Sequence, residues 1–194
     1  MRLLASLPVL ATCLLLDFRF GPAEAAQTTV GNAKVVVRTV TGAYEGETRQ
    51  LQLLDDVYHN EKIETAEESA TQLVFMDQTT ITLGPKSKIV LDKFVYDPDP
   101  SKASFVMTAT QGAFRFASGK LPKSVYRINT PAATIGIRGT LLDISVLPAS
   151  TPQREPAVAV EVRLESGEAY LTTKTGETVH LDSVTPSARL VVER

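Results

Sequence analysis

No apolar stripe recurs at helical spacing anywhere in this chain. Apolar and polar residues alternate one by one in short runs, and turn residues interrupt those runs roughly every eight to twelve positions. The most regular run places Val158, Val160, Val162 and Leu164 on one side and Ala159, Glu161 and Arg163 on the other. A strand sends successive side chains to opposite faces, so the first set is expected inward and the second outward. Leu73 and Phe75, Ile81 and Leu83, Ile89 and Leu91, Phe105 and Met107, and Phe114 and Phe116 repeat the pattern, with Arg115 outward. Val35 and Val37 alternate with Lys34, Val36 and Arg38 in a first strand, and Leu51-Gln52-Leu53 resumes the alternation. An all-β domain follows, and because no fixed repeat period is visible a β-sandwich is one way to close it.

The turns are as legible as the strands. Gly42 and Gly46 mark a hairpin within Thr41–Gln50, Asp77-Gln78-Thr79 a tight turn, and Pro85 the close of the next unit. Asp-Gly is the usual pair in such a turn because its second position often needs φ > 0, so Gln78 predicts a different turn type or a strained one. Ser166-Gly167-Glu168 and Thr175-Gly176-Glu177 turn the later strands, and apolar Leu190, Val191 and Val192 predict a further pairing at the C-terminal end. The acidic run Glu61–Ala70 has too few apolar residues for a core-facing helix and reads as a strand end plus a solvated loop.

The N-terminal segment stands apart. Arg2 precedes the apolar stretch Leu3–Leu16, and Ala23-Glu24-Ala25 supplies the small-x-small pattern of a signal peptidase site. Residues 1–25 are therefore expected to be a removable signal peptide, leaving a single domain over 30–194 with a mobile Pro/Ser/Thr-rich insertion at 148–156. The sole cysteine, Cys13, lies in the removed segment, where Leu10-Ala11-Thr12-Cys13 is a poor lipoprotein box. A mature chain without cysteine forms no disulfide and offers no thiolate. The formal net charge is −2. Residues 1–25 hold Arg2 and Arg19 against Asp17 and Glu24, so their removal leaves it there. Such a balance argues against nucleic acid or an anionic membrane as partner, and the apolar stretch is short for a membrane anchor.

Ile128–Ile144 organises the chain. Ile128 and Thr130 enter as a strand, Pro131 forces a bend or an edge position, and Ile135 and Ile137 share a face across Gly136. Gly139 opens the next strand, in which Leu142, Ile144 and Val146 point one way and Asp143 and Ser145 the other. Arg138, held between two glycines, is expected to be a buried structural clamp whose donors meet strand carbonyls; a ligand-reading arginine is the alternative.

These residues carry a family resemblance. Thr130-Pro131-Ala132-Ala133-Thr134-Ile135-Gly136-Ile137-Arg138-Gly139-Thr140 resembles the T-P-x-A-x-x-G-V-R-G-T hallmark of the FecR domain. Upstream, Leu73-Val74-Phe75-Met76-Asp77-Gln78-Thr79-Thr80-Ile81-Thr82-Leu83-Gly84-Pro85-Lys86-Ser87 resembles that family's F-x-D-G-S-x-L-x-L-x-P-x-S segment, and Asp55-Asp56-Val57-Tyr58 its G-D-x-I turn with Asp for Gly. Together they cover roughly Ala33 to Thr175. The resemblance implies an irregular β-solenoid-like stack of short strands. It makes Thr130, Pro131, Gly136, Arg138, Gly139, Thr140, Asp77 and Pro85 structural hallmarks.

Catalytic chemistry is poorly represented. His59 and His180 lie far apart in sequence, and no Gly-x-Ser-x-Gly, His-Glu-x-x-His or Ser-x-x-Lys motif occurs. Ser118-Gly119-Lys120 fails as a phosphate loop, because Phe114 stands where a glycine is needed and Leu121 where Ser or Thr is. Asp97-Pro98-Asp99-Pro100 lacks the further ligands of a calcium loop. The expectation is no catalysis, no cofactor and no metal. Family resemblance implies an extracytoplasmic module, periplasmic or secreted, that binds a protein partner in envelope sensing; in the family this domain relays receptor occupancy to a cytoplasmic sigma factor. The anti-sigma and transmembrane segments of that design are not visible here, which predicts no membrane span in the mature chain. The alternative is a cell-envelope structural or peptidoglycan-binding protein. The absence of Trp and the inward-facing Phe residues lower that glycan reading.

Overall fold

The computed structural model describes residues 28–97, 99, 101–139, 141–149 and 157–192. The expected signal peptide, Cys13, Thr140 and residues 150–156 lie outside the described residues. In chain order the strands are β1 (Thr29–Val37), β2 (Val40–Tyr44), β3 (Glu47–Gln50), β4 (Asp56–Tyr58), β5 (Lys62–Thr65), β6 (Ala70–Phe75), β7 (Thr80–Leu83) and β8 (Lys88–Val95). They continue with β9 (Ser104–Ala117), β10 (Tyr126–Asn129), β11 (Ala133–Ile137), β12 (Leu141–Ala149), β13 (Ala157–Ser166), β14 (Ala169–Thr173), β15 (Thr178–Leu181) and β16 (Ser187–Val192). A 3₁₀ turn at Lys123–Val125 precedes β10. The fold is all-β, as the alternation predicts.

All sixteen strands belong to one mixed hydrogen-bonded sheet, which β9 carries through two layers. The first layer runs β4-β1-β6-β7-β9-β12-β13-β16. The second runs β3-β2-β5-β8-β9-β10-β11-β14-β15. Strand order follows chain order almost monotonically in both, so the chain advances while crossing from layer to layer. Among the described ladders only β9 with β10 is parallel, and the others are antiparallel.

The long strand β9 creates the two layers. Its first half pairs with β8 and β10, and its second with β7 and β12. A straight strand would set Phe105 and Phe116 about 36 Å apart, yet their ring centroids lie 5.7 Å apart. The fold-over occurs at Gly112, whose φ of 103° is open to glycine and whose missing Cβ leaves room for Ser87. Between the layers Phe75, Phe94, Phe105, Phe116 and Tyr126 form a tilted and edge-to-face cluster with centroids 5.1–5.9 Å apart. Burying one such phenylalanine contributes about 1.5–3 kcal/mol.

Several expectations need correction. Val35 and Val37 are exposed, because a bulge between Ala33 and Val35 shifts the phase and leaves Val30 and Ala33 as the inward residues of β1. Leu51 is buried but Leu53 is not. On β13, Val160, Val162 and Leu164 are buried as expected, but so is Ala159. Strand β13 does not return as a hairpin: β14 crosses to the other layer and pairs with β11 and β15. Pro148 and Ala149, assigned to the insertion, are the end of β12 and pair with Val158 and Ala157. The strand expected to open at Gly139 is β12, which begins at Leu141. Glu61, assigned to a solvated run, is fully buried.

Candidate functional site

Two groups of hallmark residues emerge, one facing the core and one facing out. In the first, the turn after β6 is closed by Asp77, which is completely buried. Its Oδ2 accepts from the Tyr126 hydroxyl at 2.6 Å and from Thr79 Oγ1 at 2.7 Å, and its Oδ1 from the Thr79 N–H at 3.0 Å. Gly119 N–H donates to Thr79 Oγ1, and a Cβ on Gly119 would collide with the Asp77–Thr79 backbone. Burial first, then the Asp77 carboxylate, push the Tyr126 phenol far above its usual range. Gln78 takes the strained geometry the sequence foreshadowed, at φ 70°. Exposed Pro85 offers its carbonyl to Ser87 Oγ.

The second block joins the first through one residue. Thr130 pins the β10–β11 connection: its Oγ1 donates to Ala133 O at 2.7 Å and accepts from Ala133 N at 3.1 Å, with Pro131 at the bend. Gly139 sits where the chain changes layer. A Cβ there would lie 2.6 Å from Glu168 N and closer still to Gly167 Cα, so close approach of backbone requires this glycine. Ser118 Oγ donates to Gly139 O at 2.9 Å, tying this corner to the Gly119 side of the Asp77 turn.

Gly136 and Arg138 behave differently. In β11 the inward residues are Ala133, Ile135 and Ile137, which turns Thr134, Gly136 and Arg138 outward. Gly136 has no positive φ, and a Cβ there would find only Tyr170 O, at 3.8 Å. Neither packing nor conformation requires a glycine. Register places Arg127 of β10 on one side of it and Tyr170 of β14 on the other. The expected buried clamp is not formed: Arg138 is exposed, and its guanidinium lies 5.4 Å over the Tyr170 ring while its N–H donates to Glu168 O. Flanking glycines suggested confinement, but only Gly139 is confined.

Tyr170 is in turn stacked on His180 of β15, with centroids 4.5 Å apart at 17°. Glu168 Oε2 accepts from the Tyr170 hydroxyl at 3.2 Å and lies 3.7 Å from His180 Nε2. Asp182 Oδ2 lies 3.8 Å from His180 Nδ1, and the N–H groups of Thr185 and Val184 hold the Asp182 carboxyl below its usual range. The result is a solvent-facing Arg–Tyr–His stack beside a bare strip of backbone, a surface suited to recognition. Tyr170 did not stand out in the sequence, and His180 was weighed there only for catalysis; the register of β14 against β11 and of β15 against β14 brings them together.

Elsewhere the charged groups answer one another. On the first layer's outer face Arg115 Nε and Nη2 each donate at 2.7 Å to Asp143, whose carboxyl they hold low, and Arg189 pairs with Glu161 at 3.3 Å. Asp143, Glu161 and Arg189 line a cleft of about 350 Å³ over β12, β13 and β16. Glu61 is held by Arg49 at 3.0 Å and by the Tyr58 N–H at 2.9 Å, in space vacated by Gly42. Burial raises its carboxyl despite those partners. Among the described residues no group of three or more His, Cys, Asp or Glu is placed to hold a metal.

The family model described as FecR protein matches residues 61–153. This segment is similar to a FecR domain. The match spans β5 to β12 and contains Asp77, Tyr126, Arg127, Gly136 and Arg138, while Tyr170 and His180 lie beyond it. A protein from Parabacteroides distasonis designated an anti-sigma factor is similar in structure, at TM-score 0.47 and 16% identity, over 68% of this chain and 54% of that one. The chain thus spans about half the length of that protein. No curated protein matches the sequence.

Proposed function

We propose that the chain is a non-catalytic extracytoplasmic binding module of the FecR type, which engages a protein partner in envelope sensing or signalling. One observation carries this reading. Asp77, Thr130 and Gly139 are spent on holding the fold, whereas Gly136 and Arg138, from the same hallmark, face solvent beside an aromatic–cation stack. An exposed arginine and a strand glycine without a packing duty belong to recognition. The signal-peptide pattern ending at Ala25 supports a periplasmic or secreted location, and no helix among the described residues is long and apolar enough to cross a membrane.

Two measurements test this. N-terminal sequencing of the exported protein is expected to begin at Ala26; a retained Met1 or a lipidated Cys13 would contradict export by this route. Wild type and Arg138→Ala, shown by melting to be equally folded, are then compared as bait in envelope extract. A protein recovered by wild type and lost with Arg138→Ala supports the reading. Sedimentation of both with purified peptidoglycan, with no protein recovered, would replace it by the glycan-binding alternative.

A further inference from the structure

We propose that the outer face of the second layer, centred on Gly136, seats a carboxylate of an extended acidic segment from a protein partner. This rests on the binding-module reading above and adds the chemistry of what is bound. Among the strand glycines, Gly31 and Gly42 have neighbours crowding the position of a Cβ, and Gly112 has both crowding and a positive φ. Gly136 has neither. A glycine inside a strand weakens it relative to residues with side chains, so its presence here leaves an open notch in an otherwise covered face.

The walls of that notch come from the register. Arg127 lies directly across from Gly136 on β10 and Tyr170 directly across on β14, with Thr134 before that glycine on β11 and Arg138 just past the end of that strand. Two guanidinium groups thus border one unfilled position. Arg138 is steadied by the Tyr170 ring, which has His180 stacked on it. Arg127 is exposed, and its side chain makes no hydrogen bond or ion pair with any described residue. Arg115 and Arg189 on the first layer's outer face, by contrast, already pair with Asp143 and Glu161. Guanidinium forks match a carboxylate in two-point geometry, which makes an acidic side chain the complementary occupant.

The same row continues through Val106 to Lys93 of β8, also exposed and unpaired among the described residues. Lys93 and Arg127 are two strands apart, about 10 Å at ordinary strand spacing. Side chains on one face of an extended peptide recur at every second residue, about 7 Å and about 13 Å apart at two and four residues, which brackets that distance within the reach of flexible Glu, Lys and Arg side chains. An extended acidic segment crossing the strands can therefore meet both. On this face Asp92 accepts a hydrogen bond from the Thr108 hydroxyl and Glu168 one from that of Tyr170.

The test uses fluorescein-labelled deca-glutamate, read by anisotropy against the full chain, with deca-glutamine as the uncharged control. Saturable binding is expected for deca-glutamate alone, weakened at least fivefold by Arg127→Ala and by Gly136→Val. Lys34→Ala, on β1 of the other layer, is expected to bind as wild type. Each variant is first checked by melting, and Gly136→Val is expected to melt no lower than wild type because its side chain enters open space. Absence of saturable binding, or equal binding by all variants, would overturn the proposal. So would retention on phosphatidylglycerol vesicles that depends on Arg127 while deca-glutamate is ignored, which would assign the notch to a lipid headgroup. Recovery of the same envelope protein by wild type and Arg127→Ala would keep the binding-module reading and remove this site. Site-dependent deca-glutamate binding with no envelope protein recovered would remove the former alone.

Discussion

Replacing Arg49 by Leu exposes how the buried Glu61 is tolerated. Glu61 has no exposed surface, and its oxygens accept from Arg49 Nε at 3.2 Å, from Arg49 Nη2 at 3.0 and 3.3 Å, and from the Tyr58 N–H at 2.9 Å. Removing one partner of a buried ion pair costs roughly 3–5 kcal/mol because the other charge is stranded. Arg49 keeps a side-chain exposure of 35%, so water compensates in part and the lower end, about 3 kcal/mol at pH 7, is expected. The pH dependence follows from the raised carboxyl of Glu61, whose first cause is burial. The folded state holds that proton to a higher pH than the unfolded chain, which releases it near about pH 4.3. Stability from this group is therefore full below that pH and declines as pH rises through the folded value. Loss of Arg49 moves the folded value further up, so the deficit of Arg49→Leu should shrink between pH 7 and pH 5. Urea denaturation at both pH values reads this, with Arg49→Leu/Glu61→Gln expected to recover most of the loss at pH 7. A single variant within about 1 kcal/mol of wild type at pH 7, or a deficit indifferent to pH, would refute the reasoning.

Three further outcomes are expected. Gln78→Gly relieves a left-handed residue at φ 70° and should raise stability by about 0.5–1 kcal/mol, read as a higher urea midpoint. Tyr126→Phe removes the hydroxyl that donates to buried Asp77 and should cost about 1–3 kcal/mol in the same assay. Val160→Asp places an unpaired charge at a fully buried position of β13 and should abolish the cooperative thermal transition; an unchanged melting temperature would show the inward assignment to be wrong.

What the sequence made legible is what depends on neighbours along the chain. Alternation located most strands, since period two is a local property, and it assigned Val160, Val162 and Leu164 to the core. It failed at Val35 because a bulge reverses the phase without changing the composition. The single strand β9 was hidden, because Gly112 folds it over while the hydrogen-bonded strand continues through Thr110-Gln111-Gly112, residues that in sequence read as an interruption between two runs. Burial of Glu61 was equally hidden: its partner Arg49 lies twelve positions away and is brought beside it only by the sheet. Within the hallmark, the sequence pointed to Gly136, Arg138 and Gly139 as a group but not to their opposite orientations. Strand phase and the crossing at Gly167 decide those, and both are properties of the assembled layers.

That division of the hallmark is most directly tested by denaturing Gly136→Ala and Gly139→Ala beside wild type. A methyl at Gly139 meets the backbone of Gly167 and Glu168 and should cost about 2 kcal/mol or more, whereas one at Gly136 enters open space and should be neutral or stabilising by about 0.5–1 kcal/mol. Equal destabilisation by the two substitutions would mean that Gly136 also serves the fold, and the account of an outward-facing recognition strip would be contradicted.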